Sequence, residues 1–158
     1  MNYQYLNSPI GRLRLVSDGA HITRIEFENM YAFDPGDLEQ GDPALTACTA
    51  QLGEYFDSAR SEFHLPLAPG GTAFQQSVWR ALTAIPYGAV KSYRDIATML
   101  DKPTAVRAVG AANGRNPIPI VVPCHRVIGS DGSLTGFAGG LEAKRVLLEL
   151  EGAISSRQ

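Results

Sequence analysis

Polar and apolar positions alternate with a period of two in two stretches near the start of the chain. Gly11-Arg12-Leu13-Arg14-Leu15-Val16 and His21-Ile22-Thr23-Arg24-Ile25-Glu26-Phe27 each read as a half-buried strand. Ser17-Asp18-Gly19 between them supplies a hairpin turn. The period then changes. After Asp42-Pro43, a good helix start, Leu45, Cys48, Leu52, Tyr55 and Phe56 recur at helical spacing, which places Cys48 on a core stripe. Leu65-Pro66-Leu67-Ala68-Pro69-Gly70-Gly71-Thr72 breaks both patterns and reads as a linker. Beyond it, Phe74, Val78, Trp79, Leu82 and Ile85 form an apolar helical stripe that stops at Pro86-Tyr87-Gly88. Ser92 is placed to cap a helix over Tyr93–Leu100, with Ile96, Ala97 and Leu100 inward. After an Asp101-Lys102-Pro103 turn, Thr104 is placed to cap a second helix through about Asn113. The pattern predicts a small α/β domain over 1–67 and a mainly helical domain over 73–158. Two short helices on a tight turn are a helix-turn-helix signature.

The second of these helices carries small residues and one long side chain, Arg107. A reader of the major groove presents several long polar side chains. A smooth helix with one arginine suits close approach to a narrow groove, with Arg107 inserted into the base stack; the same composition also suits a plain core helix. Charge sharpens the contrast between the two parts. Through Gly71 there are four Lys/Arg against ten Asp/Glu, and from Thr72 onward ten against six, so an overall charge of −2 conceals an acidic part and a basic part. The basic part would attract a polyanion. Lys91, Arg94, Lys102, Arg107, Arg115 and Arg126 are expected around the groove-facing helices.

Composition excludes several classes. No apolar run approaches the ~18 residues of a membrane helix, and Met1-Asn2-Tyr3-Gln4-Tyr5 lacks the marks of a signal peptide. With only Cys48 and Cys124, a disulfide framework is not expected, and a reduced cytoplasm is the natural setting. His21, His64 and His125 lack ligand spacing, so no metal site is expected.

The chemistry is concentrated in Val122-Pro123-Cys124-His125-Arg126-Val127, preceded by Asn116-Pro117-Ile118-Pro119-Ile120 and followed at a distance by Glu151. A thiol beside a histidine and within reach of an acid is the minimum kit for a reactive thiolate. Pro117, Pro119 and Pro123 remove backbone donors, which predicts a stiff, extended, non-helical setting for Cys124.

Pro123-Cys124-His125-Arg126-Val127, with Asn116-Pro117, Arg107-Ala108-Val109-Gly110, Gly136-Phe137-Ala138-Gly139-Gly140 and Glu151-Gly152, resembles the O6-alkylguanine-DNA alkyltransferase family. The resemblance is dense from Phe74 to Gly152. It implies a ribonuclease-H-like α/β domain, then a winged helix-turn-helix domain. The implied activity is direct-reversal DNA repair: irreversible transfer of the alkyl group from O6-alkylguanine to Cys124, once per molecule, with O4-alkylthymine expected as a second substrate. In that frame His125, oriented by Glu151, draws off the thiol proton through a bridging water. Asn116 pins the turn before the active-site strand, and Tyr93 protonates a guanine ring nitrogen. Arg107 replaces the flipped nucleotide, and Asn113, Pro119, Val127, Phe137, Ala138 and Gly139 surround the base. Arg94, Lys102, Thr104 and Ser130 meet the DNA backbone. The resemblance further implies a monomer acting on double-stranded DNA through the minor groove, with no cofactor. Two positions depart from the family pattern: Phe137 stands where tyrosine is common, and Ala138 where a small hydroxyl residue is common. A thiol hydrolase would use the same three side chains, but it needs an oxyanion hole and leaves the helix pair unexplained. A DNA-binding regulator explains the helices but not the thiol.

Overall fold

The computed structural model describes residues 1–32 and 34–155. The chain divides into two compact units, Met1–Gly70 and Gly71–Gln158.

The first unit is built on β1 (Asn2–Ser8), β2 (Gly11–Ser17), β3 (Ile22–Glu26) and β4 (Leu38–Glu39), in the order β3-β2-β1-β4. The first three strands are antiparallel, and β4 joins β1 in parallel. Helix α1 (Pro43–Phe56) packs on this sheet. It begins where the sequence places it: the Asp42 side chain accepts from the Leu45 amide at 2.8 Å, and Pro43 opens the first turn, where its missing N–H matters least. Leu45, Cys48, Leu52 and Tyr55 are fully buried with Leu13, Leu15 and Ile22. The sheet departs from simple alternation at Arg14, which is buried rather than solvated. Its Nε donates to Glu26 Oε1 at 2.8 Å, and its guanidinium lies 4.9 Å from the Tyr31 ring and 5.4 Å from the Tyr3 ring. Paired and stacked in this way, the charge is tolerated on the second face of the strand. Part of the expected linker also has structure. Ile22 and the 66–68 segment exchange backbone bonds of 2.8 and 2.9 Å, so Leu67 lies along β3.

The second unit contains α2 (Ala73–Thr83), β5 (Lys91–Ser92), α3 (Tyr93–Met99), α4 (Val106–Gly114), β6 (Val127–Ile128) and α5 (Leu141–Leu150). Reciprocal capping boxes start α2 (Thr72 with Gln75) and α3 (Ser92 with Asp95). Helices α2, α3 and α4 pack on one another around Val78, Trp79, Leu82, Ile96, Ala97 and Val109. The indole N–H of Trp79 donates to the Ala112 carbonyl at 2.8 Å, tying α2 to α4. The predicted start of the second helix needs correction: α4 begins at Val106, and its cap residue Ala105 makes no side-chain bond. Lys102 N bonds back to Ala97 O and Ala105 N to Lys102 O, both at 2.9 Å. The turn therefore runs past Thr104, which is left exposed and uncapping. Strands β5 and β6 pair in parallel over two residues each, bringing the start of α3 beside the segment that follows Cys124. Among the described residues no helix is long and apolar enough to cross a membrane.

Candidate functional site

The segment between α4 and β6 is shaped by one side chain. Asn116 Nδ2 donates to Val122 O at 2.8 Å, while Asn116 Oδ1 accepts from Ile118 N at 3.0 Å. Val122 N closes the same turn on Ile118 O at 3.0 Å. Inside this clasp Ile120 is buried with φ +76°, a left-handed conformation rare for a β-branched residue. Val122 O also accepts from Cys124 N at 2.8 Å, so the clasp reaches the thiol-bearing residue itself.

Cys124, His125 and Arg126 form a single 3-10 turn, which corrects the extended setting expected from the prolines. Pro117 and Pro119 lie upstream of it. Pro123 stands directly before the turn, where a lost N–H does not interrupt helical bonding. A turn at these residues throws successive side chains in different directions, and all three are buried.

The imidazole of His125 is wholly buried, and its Nε2 lies 2.8 Å from Glu151 Oε2. Burial holds its pKa below the ordinary value; the Glu151 charge opposes that shift, and the charges of Arg126 and Lys144 add to it. Burial and the two nearby cations thus favour the neutral ring. Its Nε2–H donates to Glu151, and its other nitrogen, Nδ1, makes no hydrogen bond to the described protein. Nδ1 is thus the acceptor available for a proton. The neighbouring thiol of Cys124 is pushed up to about 11 by burial, with the Asn116 side chain and the Lys144 charge pulling the other way. Such a group is a resting thiol that needs a base. Cys48 is pushed up to about 12 by burial alone and belongs to the core of the first unit.

Glu151, at the end of α5, also receives Arg126. Nε donates to Oε1 at 2.8 Å, Nη2 to Oε2 at 3.0 Å, and Nη1 to the Ile85 carbonyl at 2.7 Å. This corrects the expectation that Arg126 faces DNA: the side chain is buried, and each of its three nitrogens donates to a buried acceptor. The turn after α2 packs close by. Gly88 has φ +84°, and a Cβ there would come within 3.3 Å of the Glu151 carbonyl.

Lys144 was not among the residues singled out in the sequence. It is fully buried on α5 beside Ala143, Leu147 and Leu148. Its Nζ donates to Val127 O at 2.5 Å and to Thr135 O at 2.6 Å, and burial brings its pKa down to about 8. A lysine interrupting an apolar stripe was the available signal. Tyr93, half-buried at the start of α3, reaches the same carbonyl: its hydroxyl donates to Thr135 O at 3.3 Å. Lys144 and Tyr93 thus converge on the loop that leads into Gly136 and the half-buried Phe137, Ala138 and Gly139.

Other expected substrate groups are placed differently. Asn113 is buried, its Nδ2 3.5 Å from the Cys124 carbonyl, so it faces the backbone of the turn rather than an open pocket. Pro119 and Val127 are also buried, and the Val127 carbonyl is taken by Lys144. By contrast Arg94, Lys102, Thr104, Arg107 and Ser130 are all exposed. Lys91, Arg94 and Ser130 line a shallow cavity of about 370 Å³ between the start of α3 and the end of β6. Among the described residues no cluster of three or more His, Cys, Asp or Glu is arranged to hold a metal ion.

Known proteins resemble this chain in sequence and fold. Residues 1–69 match the ribonuclease-like domain of 6-O-methylguanine DNA methyltransferase, and residues 73–153 match its DNA binding domain. A methylated-DNA–protein-cysteine methyltransferase of Haemophilus influenzae is 49% identical over 94% of this chain and 85% of its own length. One from Methanosarcina barkeri is 46% identical over 96% of this chain and 97% of its own. The crystal structure of Mycobacterium tuberculosis OGT in complex with DNA superposes with a TM-score of 0.90 at 44% identity, covering 97% of this chain and 94% of that one. With both halves matched and relatives near one-half identity across almost the whole length, the chain belongs to the 6-O-methylguanine DNA methyltransferase family.

Proposed function

We propose that this protein repairs DNA by direct reversal, moving the alkyl group from O6 of an alkylated guanine in duplex DNA onto Cys124. The observation that carries the reading is the buried Cys124–His125–Glu151 set, with His125 Nδ1 open as acceptor and Nε2 committed to Glu151. Ionising a thiol of pKa about 11 at pH 7 costs about 5 kcal/mol if the proton is lost to solvent. Transfer to a neighbouring imidazole whose new charge meets Glu151 at 2.8 Å reduces that cost. His125 takes the proton, through a bridging water. The Sγ lone pair then attacks the alkyl carbon, the carbon–O6 bond breaks, and its electrons pass into the base. Tyr93 protonates the ring nitrogen, so the base leaves neutral. The product is a thioether, a very poor leaving group, and Cys48 lies in the core of the other unit. Each molecule therefore acts once. O4-alkylthymine offers the same ether carbon and is read as a second substrate.

The domain over 1–67 is read as ribonuclease-H-like. The domain over 73–158 is read as a winged helix-turn-helix, with α3 and α4 as the helix pair. The exposed Arg107 on a helix of small residues supports minor-groove binding with a flipped nucleotide. The exposed Arg94, Lys102, Thr104 and Ser130 support contacts to the DNA backbone. Phe137, Ala138 and Gly139 are read as the wall against the base. We place the protein in the cytoplasm as a monomer. Intact mass spectrometry after incubation with a duplex carrying one O6-methylguanine tests the reading: one methyl on the Cys124 peptide is expected, and an unmodified Cys124 with the lesion unchanged would overturn it.

A further inference from the structure

Arg126 touches both oxygens of Glu151, and it does so from within the same turn as the thiol and the base. Its planar fork fixes the plane of the carboxylate, so that Oε2 is shared between Arg126 Nη2 at 3.0 Å and His125 Nε2 at 2.8 Å. The third donor, on Ile85 O, anchors the fork to the end of α2.

We propose that Arg126 is a positioning residue of the transfer reaction: by sharing the charge of Glu151 it keeps His125 an uncharged base with Nδ1 free for the thiol proton. The inference rests on the alkyl-transfer reading above. Its logic is one of competition. A lone buried carboxylate against an imidazole is best satisfied when the imidazole takes a proton and becomes its counter-ion. A histidine already protonated at rest cannot accept from Cys124. With Arg126 in place the carboxylate has its counter-ion, and the imidazole needs to donate only one neutral N–H. When the thiol proton later moves to His125, Glu151 is still correctly oriented to receive the imidazolium.

The charged and titratable groups facing His125 are few. They are Glu151 and Lys144 from α5, Arg126 and Cys124 from its own turn, and Tyr87, whose ring lies 5.8 Å from the Arg126 guanidinium. The charged residue of α2, Arg80, is exposed.

The test is single-turnover methyl transfer from saturating duplex O6-methylguanine, followed from about pH 5.5 to 8.5 by intact mass. In Arg126→Met the acid limb of the rate profile moves up by about one pH unit or more. At the acid end of the range transfer then falls up to about tenfold further below wild type than transfer at pH 8.5. In Arg126→Met/Glu151→Gln both charges are gone, and the limb returns to its wild-type position while the plateau stays low. A uniform loss at every pH, or a limb that the second substitution does not bring back, would overturn the proposal in favour of a purely structural ion pair. If Arg126→Met does not fold, Arg126→Lys is read instead; it keeps the charge but cannot span both oxygens, and its limb moves the same way by less. An unmoved limb there also overturns the proposal. Nitrogen-15 NMR of the His125 ring needs no alkyl transfer, so it stands even if the substrate reading fails. Wild type at pH 7 should show neutral imidazole protonated on Nε2, and an imidazolium would overturn the proposal.

Discussion

Asn116→Ala removes a clasp whose worth is readable bond by bond. Two hydrogen bonds disappear, from Asn116 Nδ2 to Val122 O and from Ile118 N to Asn116 Oδ1. They are not equivalent. Val122 O keeps a second donor in Cys124 N, so its loss is about 1 kcal/mol. Ile118 is fully buried, and its N–H loses the acceptor that Asn116 supplied, a penalty of about 1–3 kcal/mol. The sum, about 2–4 kcal/mol, is a large part of the stability of an ordinary domain. At this chain size it corresponds to a fall in melting temperature of about 4–16 °C. The rate falls for a further reason. Cys124 N hangs on the same carbonyl that Asn116 holds, so a slackened turn misplaces the thiol, and misplacement by about 1 Å costs on the order of a hundredfold. Thermal unfolding and single-turnover transfer at saturating duplex, both near pH 7.5, measure the two effects. Asn116→Asp separates them: it can still accept from Ile118 N, so it is less destabilised, but its charge beside the thiol opposes ionisation and slows transfer at least as much. An Asn116→Ala protein within about 0.5 kcal/mol of wild type, reacting at the wild-type rate, would refute this account of the clasp.

Arg107→Ala should bind duplex nearly as well as wild type yet transfer slowly, and lose far less activity on the free alkylated base, which needs no flipping; equal losses on the two substrates would assign Arg107 to the fold instead. Affinity for duplex should fall with salt at a logarithmic slope of about 0.9 per phosphate contact. Arg94→Ala or Lys102→Ala should each reduce that slope by about one in filter binding, and an unchanged slope would remove that residue from the backbone contacts. On the acid side, His125 carries the expectation: its folded pKa lies below the ordinary 6.5, so below pH 6.5 the unfolded chain gains a proton that the folded one refuses. Stability should therefore fall with pH at up to about 1.4 kcal/mol per unit until the folded pKa is reached. Urea titrations at pH 7.5 and 5.5 check this, and an equally steep loss in His125→Gln would assign it to other groups.

What the sequence makes legible here is short-range. Asp42 before Pro43 and Ser92 three residues before Asp95 announce helix starts because cap and acceptor lie within one turn. The alternation of β2 and β3 is equally local. Features that depend on distant partners stay hidden. Strand β1 is half polar, Asn2, Gln4 and Asn7 among Tyr3, Tyr5 and Leu6, and becomes a strand through its seven-residue pairing with β2. Arg14, Arg126 and Lys144 look like surface charges until their acceptors at Glu26, Glu151 and Val127 are known, 12, 25 and 17 residues away. Of the site, the Cys124–His125 neighbours and Glu151 were readable from a family resemblance, whereas the Arg126 fork and the Lys144 bridge required the folded chain.

The bond from Trp79 to Ala112 has a practical consequence. The chain holds one tryptophan and six tyrosines, and the tryptophan is buried where α2 meets α4. Its emission is therefore an intrinsic optical probe of the unit that carries Cys124. The first unit contributes Tyr3, Tyr5, Tyr31 and Tyr55 to the tyrosine signal. Comparing indole fluorescence with circular dichroism along one denaturant titration distinguishes concerted melting of the two units from stepwise melting, with no label attached.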